Sequence, residues 1–213
     1  MTEEEKREAL IAACRKMNAI GINNGSLGNI SIRHEDALLI SPTSLPYEEM
    51  MPEDVVMLGM NGQAEGRHAP SSEWRFHRDI MVARPEIGAV VHCHPPYATA
   101  LAILERDIPA VHYMVAVAGG ENIRCAPYAT YGTEELSAYA LEALKGRTAC
   151  LLAHHGMIAA EADLKTAMWL AEEVEALSRQ YLLALQVTEP PCLTKNQIQD
   201  TLDKFAEGYG ELG

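Results

Sequence analysis

Ile87-Gly88-Ala89-Val90-Val91-His92-Cys93-His94 decides the reading of this chain: an apolar run that reads as a buried strand and ends on two histidines separated by one residue. On an extended strand residues i and i+2 project from the same face, so His92 and His94 can converge on one point while Cys93 turns away. Leu151-Leu152-Ala153 leads in the same way into His154-His155-Gly156. A third imidazole from that second buried strand completes a three-nitrogen set. Three protein ligands with one position open distinguish a catalytic zinc from a closed structural one. Spacing alone leaves His154 and His155 as equal candidates for the third place.

Around these two strands the pattern alternates between strand and helix signals. Residues 3–20 carry Leu10, Ala13, Cys14, Met17 and Ile20 at helical spacing and stop before Gly21. Gly28 to Arg33 alternates as a strand, followed by a turn near His34-Glu35-Asp36 and a second strand, Ala37 to Ile40. Two prolines make residues 41–46 a loop. Asn61-Gly62 between Val55–Met60 and Gln63–Gly66 predicts a hairpin with a primed turn. Ser71-Ser72-Glu73 opens a helix that one serine can cap, with Trp74, His77, Ile80 and Met81 on its apolar side. Pro95-Pro96 starts the next helix, through Leu104. Val111 to Ala118 reads as a strand, Thr133 to Leu144 as a helix, and Ala149 to Ile158 as a strand broken near Gly156. Asp163 to Gln186 and Thr194 to Glu207 are the last two helices. Early hairpins followed by strand–helix alternation predict one α/β domain over residues 1–213, three layers deep, with a mixed, largely antiparallel sheet between helices.

Composition narrows the function. With 213 residues the chain can bury a sizeable core, and 48% hydrophobic residues is ordinary for a globular protein. No run reaches the ~18 apolar residues of a membrane span, and the acidic start, Met1-Thr2-Glu3-Glu4-Glu5-Lys6, lacks a secretory core, so the expected compartment is the cytoplasm. Five cysteines with no CxxC pair point to reduced thiols rather than a disulfide framework. A net charge of −13 opposes nucleic acid and anionic membranes as partners. An anionic substrate would therefore need its positive potential from a metal, from backbone amides or from a few basic groups.

Glu73 is the candidate general base. It follows two hydroxyls at a helix start, where the dipole favours a carboxylate and a nearby metal would lower its pKa further. Ser26-Leu27-Gly28-Asn29 is a second small-polar loop. Glycine allows close backbone approach, and with Asn29, Thr43, Ser71 and Ser72 it makes a neutral anion cradle. A cupin would also use an HxH pair, but the stretch after His94 offers no glutamate at its spacing. His34, His68, His77 and His112 stand isolated and read as solvent-facing or packing residues.

SLGN at 26–29, SPT at 41–43, SSEWRFH at 71–77, HCH at 92–94, HYM at 112–114 and HHG at 154–156 together resemble the zinc-dependent class II aldolases, from about residue 5 to Tyr209. The similarity is greatest to their L-fuculose-1-phosphate branch, in a superfamily shared with pentulose-5-phosphate 4-epimerases. The resemblance implies that His92, His94 and His155 hold Zn²⁺ (or Mn²⁺ or Co²⁺), with Glu73 beside the ion as acid/base. It implies that Asn29, Thr43, Ser71 and Ser72 hold the phosphate of dihydroxyacetone phosphate, with Gly28 and Ser44 contributing backbone. It further implies a homotetramer in which Tyr113 and Tyr209 reach the site from a neighbouring subunit. The implied reaction is cleavage of a ketose 1-phosphate, L-fuculose 1-phosphate foremost, to dihydroxyacetone phosphate and an aldehyde such as L-lactaldehyde.

Several positions depart from that pattern. Ser44 stands where the branch has glycine, Leu27 replaces a smaller residue, Tyr131 occupies the place of a Phe that lines the aldehyde pocket, and Pro95-Pro96 follow His94. The last two bear on which aldehyde is accepted, so 5-deoxyribulose 1-phosphate and 5-methylthioribulose 1-phosphate stand as alternatives. A 4-epimerase would carry a shorter Asp in place of Glu73. A non-catalytic adducin-type head domain would lack the metal ligands.

Overall fold

The computed structural model describes residues 1–208, and the expectation for Tyr209 lies outside them. Among these residues nine strands form one sheet: β1 (Asn29–His34), β2 (Ala37–Ile40), β3 (Val56–Gly59), β4 (Ala64–Glu65), β5 (Ala89–Cys93), β6 (Ile108–Pro109), β7 (Asn122–Ala126), β8 (Ala149–Leu152) and β9 (Gly156–Glu161). Their order is β4-β3-β2-β1-β5-β9-β8-β7-β6. β7 and β8 pair in parallel, and the other neighbours are antiparallel. Among the described residues, six α-helices accompany it: α1 (Glu3–Ala19), α2 (Trp74–Ala83), α3 (Pro96–Ile103), α4 (Glu134–Ala143), α5 (Leu164–Leu185) and α6 (Lys195–Ala206). This is the expected α/β fold with a mixed, mostly antiparallel sheet.

Strand alternation divides the core in two. Val91 and Cys93 of β5 point into one cluster, with Leu10 and Met17 of α1, Leu101 of α3 and Leu170 and Leu177 of α5. Val90 and Ile158 point into the other, with Phe76 and Ile80 of α2 and Leu136 and Ala140 of α4. Each such side chain contributes roughly 1.5–3 kcal/mol when fully buried, which is why the central strands read as unbroken apolar runs. Cys93 therefore lies on the face away from His92, as the alternation requires. No described helix is long and apolar enough to cross a membrane.

Local signals set most helix starts. Thr2 and Glu5 form a reciprocal capping box on α1, Thr133 caps α4, Asp163 caps α5, and Thr194 with Gln197 boxes α6. Three expectations are corrected. Val111 to Ala118 is not a strand: Tyr113–Ala118 is a 3₁₀ segment, capped by His112 Nδ1 accepting from Met114 N and ended by Gly119 at φ +92°. The strands β6 and β7, not anticipated, flank it. The Asn61-Gly62 turn is not primed, since only Gly62 has positive φ (+84°); Gly59 N donates to Gln63 O, leaving a three-residue loop closed by a left-handed glycine. Finally, neither serine caps α2. Glu73 takes the cap position without a side-chain bond, and Ser71 Oγ instead accepts from Glu73 N at 3.3 Å.

Candidate metal centre and its cavity

Sheet register brings the site together. Asn29 on β1 lies opposite His92 on β5, and His92 lies opposite Ile158 on β9. Cross-strand partners share a face, so Asn29 and His92 both project to the side covered by α2. His155 comes from the tight turn between β8 and β9, where His154 takes a left-handed backbone (φ +56°). Gly156, next in the turn, lies directly under His94: a Cβ there would meet Cys93 O at 2.5 Å and His94 Cδ2 at 2.6 Å. Only glycine lets the hairpin slide beneath that ring. Glu73, just before α2, enters from the opposite wall.

One ligand atom from each of Glu73, His92, His94 and His155 falls within 4.8 Å of every other. His92 Nδ1 lies 2.8 Å from Met157 O. A carbonyl only accepts, so the ring donates there, and in its neutral form it turns the Nε2 lone pair toward the cluster. That lone pair faces His94 Nε2 at 2.9 Å and Glu73 Oε2 at 3.1 Å. Glu73 Oε1 is buried, stands 3.3 Å from His155 Nε2, and makes no hydrogen bond. Acceptors facing one another in a buried space call for a cation between them, and a divalent metal fits this donor set.

The electrostatics agree with ligand duty. Burial alone would raise the Glu73 carboxyl, but the imidazoles of His92 and His155 and the Asn29 amide, which donates to Oε2 at 3.0 Å, outweigh it and hold the group well below the usual carboxylate range. Burial, reinforced by His92, pushes His94 down to about 3 and His155 to about 4, with Glu73 opposing in both cases. Neutral imidazoles beside an ionised carboxylate are the protonation states that bind metal.

The cluster forms the floor of a cavity of about 430 Å³. Gly28, Asn29, Thr43, Ser44, Ser71, Ser72 and Tyr131, all anticipated, line it with Glu73, His94 and His155. Two loops are laced side by side to build the polar wall: Thr43 N donates to Ala69 O at 3.1 Å and Ser71 N to Ser41 O at 3.0 Å. Among the described residues, no acceptor engages the Ser44 or Ser72 amide, so both remain for an anion. Ser44 adopts φ +59°, the conformation a glycine would take without strain. The loop thus keeps its shape despite the substitution. Ser44→Val, branched at Cβ, is expected to destabilise the chain by about 1–2 kcal/mol. Urea unfolding of the two proteins measures this; equal midpoints would mean that the loop relaxes freely.

The structure does not gather every anticipated residue. Tyr113 begins the 3₁₀ segment, is 42% exposed and does not line the cavity. Conversely, Tyr128 lines it without having been anticipated as a site residue, and so does His154, which spacing left equal to His155 and the resemblance set aside as a ligand. His154 Nε2 pairs outward with Glu105 at 3.0 Å. His77, taken as a surface or packing residue, is fully buried and hydrogen-bonded to Asn29 Oδ1 at 2.5 Å. The available signal was its place four residues after Glu73, on the same side of a helix.

Comparison with known proteins gives a consistent result. The family described as class II aldolase and adducin N-terminal domain matches residues 8–182. The chain is 51% identical over 205 residues, covering 96% of itself and 92% of the relative, to the 5-methylthioribulose-1-phosphate/5-deoxyribulose-1-phosphate aldolase of Rhodospirillum rubrum. It is 48% identical over 211 residues, covering 99% and 98%, to the L-fuculose phosphate aldolase of Escherichia coli K12. A solved structure of an L-fuculose 1-phosphate aldolase superposes with a TM-score of 0.92 at 38% identity, covering 95% of this chain and 96% of that one.

Proposed function

The chain belongs to the class II aldolase and adducin N-terminal domain family, and from that premise we propose that it reversibly cleaves a ketose 1-phosphate, L-fuculose 1-phosphate first, to dihydroxyacetone phosphate and a small aldehyde. The observation that carries this reading is the Glu73 carboxylate set among three imidazoles at the floor of a cavity walled by neutral anion donors. His92, His94 and His155 would hold the ion; Zn²⁺ suits the nitrogen set, and Mn²⁺ or Co²⁺ could occupy it. When bound, that ion supplies Lewis-acid stabilisation of the negative charge that develops on the substrate oxygens.

The chain's own residues supply the rest. The hydroxyls of Thr43, Ser71 and Ser72 and the second N–H of the Asn29 amide hold the phosphate, with the Gly28 and Ser44 backbone close by. This anchors the three-carbon end of the substrate over Glu73. In the cleavage direction the C3–C4 bond breaks, its electrons pass to the carbonyl end as an enediolate, and Glu73 delivers a proton to C3. In the condensation direction Glu73 removes that proton. The C4 hydroxyl must lose its own proton as the aldehyde forms. In our reading, Tyr113 of a neighbouring subunit in a homotetramer gives its phenolic proton to the C4 oxygen in the condensation direction and, as the phenolate, takes it back in cleavage, with Tyr209 also approaching from there.

A second substrate reading has its own support. Leu27 and Tyr131 line the cavity yet are 59% and 63% exposed, an apolar rim suited to a methyl or methylthio tail. The Rhodospirillum rubrum relative is named for such substrates. Purified enzyme assayed with L-fuculose 1-phosphate, 5-deoxyribulose 1-phosphate and 5-methylthioribulose 1-phosphate is expected to release dihydroxyacetone phosphate, and the highest kcat/KM identifies the aldehyde. No dihydroxyacetone phosphate from any of them would overturn the aldol reading. An epimerised product without free aldehyde would assign the site to the epimerase reaction.

A further inference from the structure

Behind Glu73 runs a buried chain of hydrogen bonds that the cleavage chemistry does not itself require. Asn29 Nδ2 donates to Glu73 Oε2 at 3.0 Å, Asn29 Oδ1 lies 2.5 Å from His77 Nε2, and His77 Nδ1 lies 2.7 Å from Ser31 Oγ. Each direction follows from the one before. Glu73 Oε2 only accepts, so the Asn29 amide nitrogen faces it and the amide oxygen faces His77. That oxygen also only accepts, so His77 carries its proton on Nε2. The Nδ1 lone pair must then accept from the Ser31 hydroxyl. Both Ser31 and His77 are 0% exposed, and Phe76 stacks on the His77 ring at 4.7 Å. Burial and the neighbouring His92 drive the imidazole neutral, down to about 3 with Glu73 opposing, so that it carries one N–H and one lone pair at working pH.

We infer that His77 is a positioning residue: through Asn29 it fixes Oε2 of Glu73 as the held oxygen and leaves Oε1 as the one that moves the proton. Oε1 is the oxygen buried without a hydrogen bond. The topology explains why one histidine can do this. Asn29 and Ser31 are two apart on β1 and so share the face under α2, and His77 spans both while Glu73 sits one helical turn ahead of it. An imidazole with both nitrogens engaged cannot turn over. The Asn29 amide therefore cannot flip, and its oxygen is never presented to the carboxylate.

This inference rests on Glu73 being the proton-transfer group, and the two can be separated. His77→Phe keeps the ring volume and removes both bonds. It is expected to lower kcat by roughly 10²-fold, the scale of a catalytic group displaced by about 1 Å, while the metal content per chain stays unchanged and KM for the ketose 1-phosphate, to which Asn29 gives one donor beside the three hydroxyls, changes far less than kcat. His77→Gln, whose side-chain amide can donate where Nε2 did, is expected to recover most of the loss. Ser31→Ala serves if His77→Phe does not fold: without its hydroxyl the ring is held at Nε2 alone and is free to turn, and kcat should fall in the same direction. Nitrogen-15 NMR of histidine-labelled enzyme reads the geometry without turnover. It should show a slowly exchanging His77 Nε2–H, lost in His77→Phe and shifted in Ser31→Ala. Wild-type kcat in His77→Phe or Ser31→Ala, alongside an inactive Glu73→Gln, would overturn the positioning role and leave Glu73 intact. A His77 protonated on Nδ1 would overturn it directly.

Discussion

Glu73→Gln is expected to retain its divalent ion and to lose about 10²–10⁴ in kcat, the usual contribution of a positioned acid/base. The substitution preserves shape. Its amide oxygen can still accept from Asn29 Nδ2, as Oε2 does at 3.0 Å, so the buried donor keeps its partner and the cavity keeps its wall. Three imidazoles remain for the ion. What the amide lacks is a basic oxygen, and transfer to or from carbon needs one. The half-reaction isolates this: exchange of the C3 hydrogen of dihydroxyacetone phosphate with deuterium from solvent requires no aldehyde and should fall with kcat. Metal analysis of the same preparation divides the outcomes. Unchanged kcat would remove Glu73 as the base. Loss of the ion would make it chiefly a ligand, in keeping with Oε2 and Oε1 at 3.1 and 3.3 Å from His92 and His155 Nε2.

How far the sequence reveals such a site depends on how local each signal is. The HxH pair is readable because strand alternation is a two-residue rule, and β5 obeys it: His92 turns to the site and Cys93 to the opposite core. The helix starts at Thr2, Thr133, Asp163 and Thr194 are readable for the same reason, since each cap is settled within three residues. The run Val111 to Ala118 failed because it is apolar throughout and has no period. Its 3₁₀ form is decided by His112 folding back on Met114 N and by Gly119. The strand β7 failed for the opposite reason. Asn122 and Arg124 make it look polar, and its parallel pairing with β8 joins segments that only the fold brings together.

The site divides in the same way. Its converging imidazoles, carboxylate and hydroxyls are legible because each sits in a short motif. Their connections are not. Asn29 looked like a phosphate donor, yet its amide also links Glu73 to His77, because β1 pairs with β5 in the register that sets Asn29 opposite His92. Likewise nothing adjacent in the chain places Tyr128 against the His154 ring, with centroids 6.0 Å apart.

The choice between His154 and His155, which spacing left open, yields the second large effect. His155→Ala should weaken metal binding by more than the ~10–100-fold typical of losing a group that only supports a ligand, because it removes one of three converging nitrogens. The His155 ring lies 4.8 Å from that of His92 and 4.9 Å from that of His94. His154 is directed elsewhere, its Nε2 on Glu105 at 3.0 Å. His154→Ala should leave metal affinity near wild type and be felt instead in stability. At φ +56° a histidine is tolerated better than most side chains, and alanine there keeps the strain while losing the pair with Glu105. Competition against a chelator, read alongside thermal unfolding, separates the two variants. If His154→Ala released the ion more readily than His155→Ala, the turn between β8 and β9 would have to be displaced by one residue, and Gly156 would no longer lie under His94, where a Cβ cannot fit.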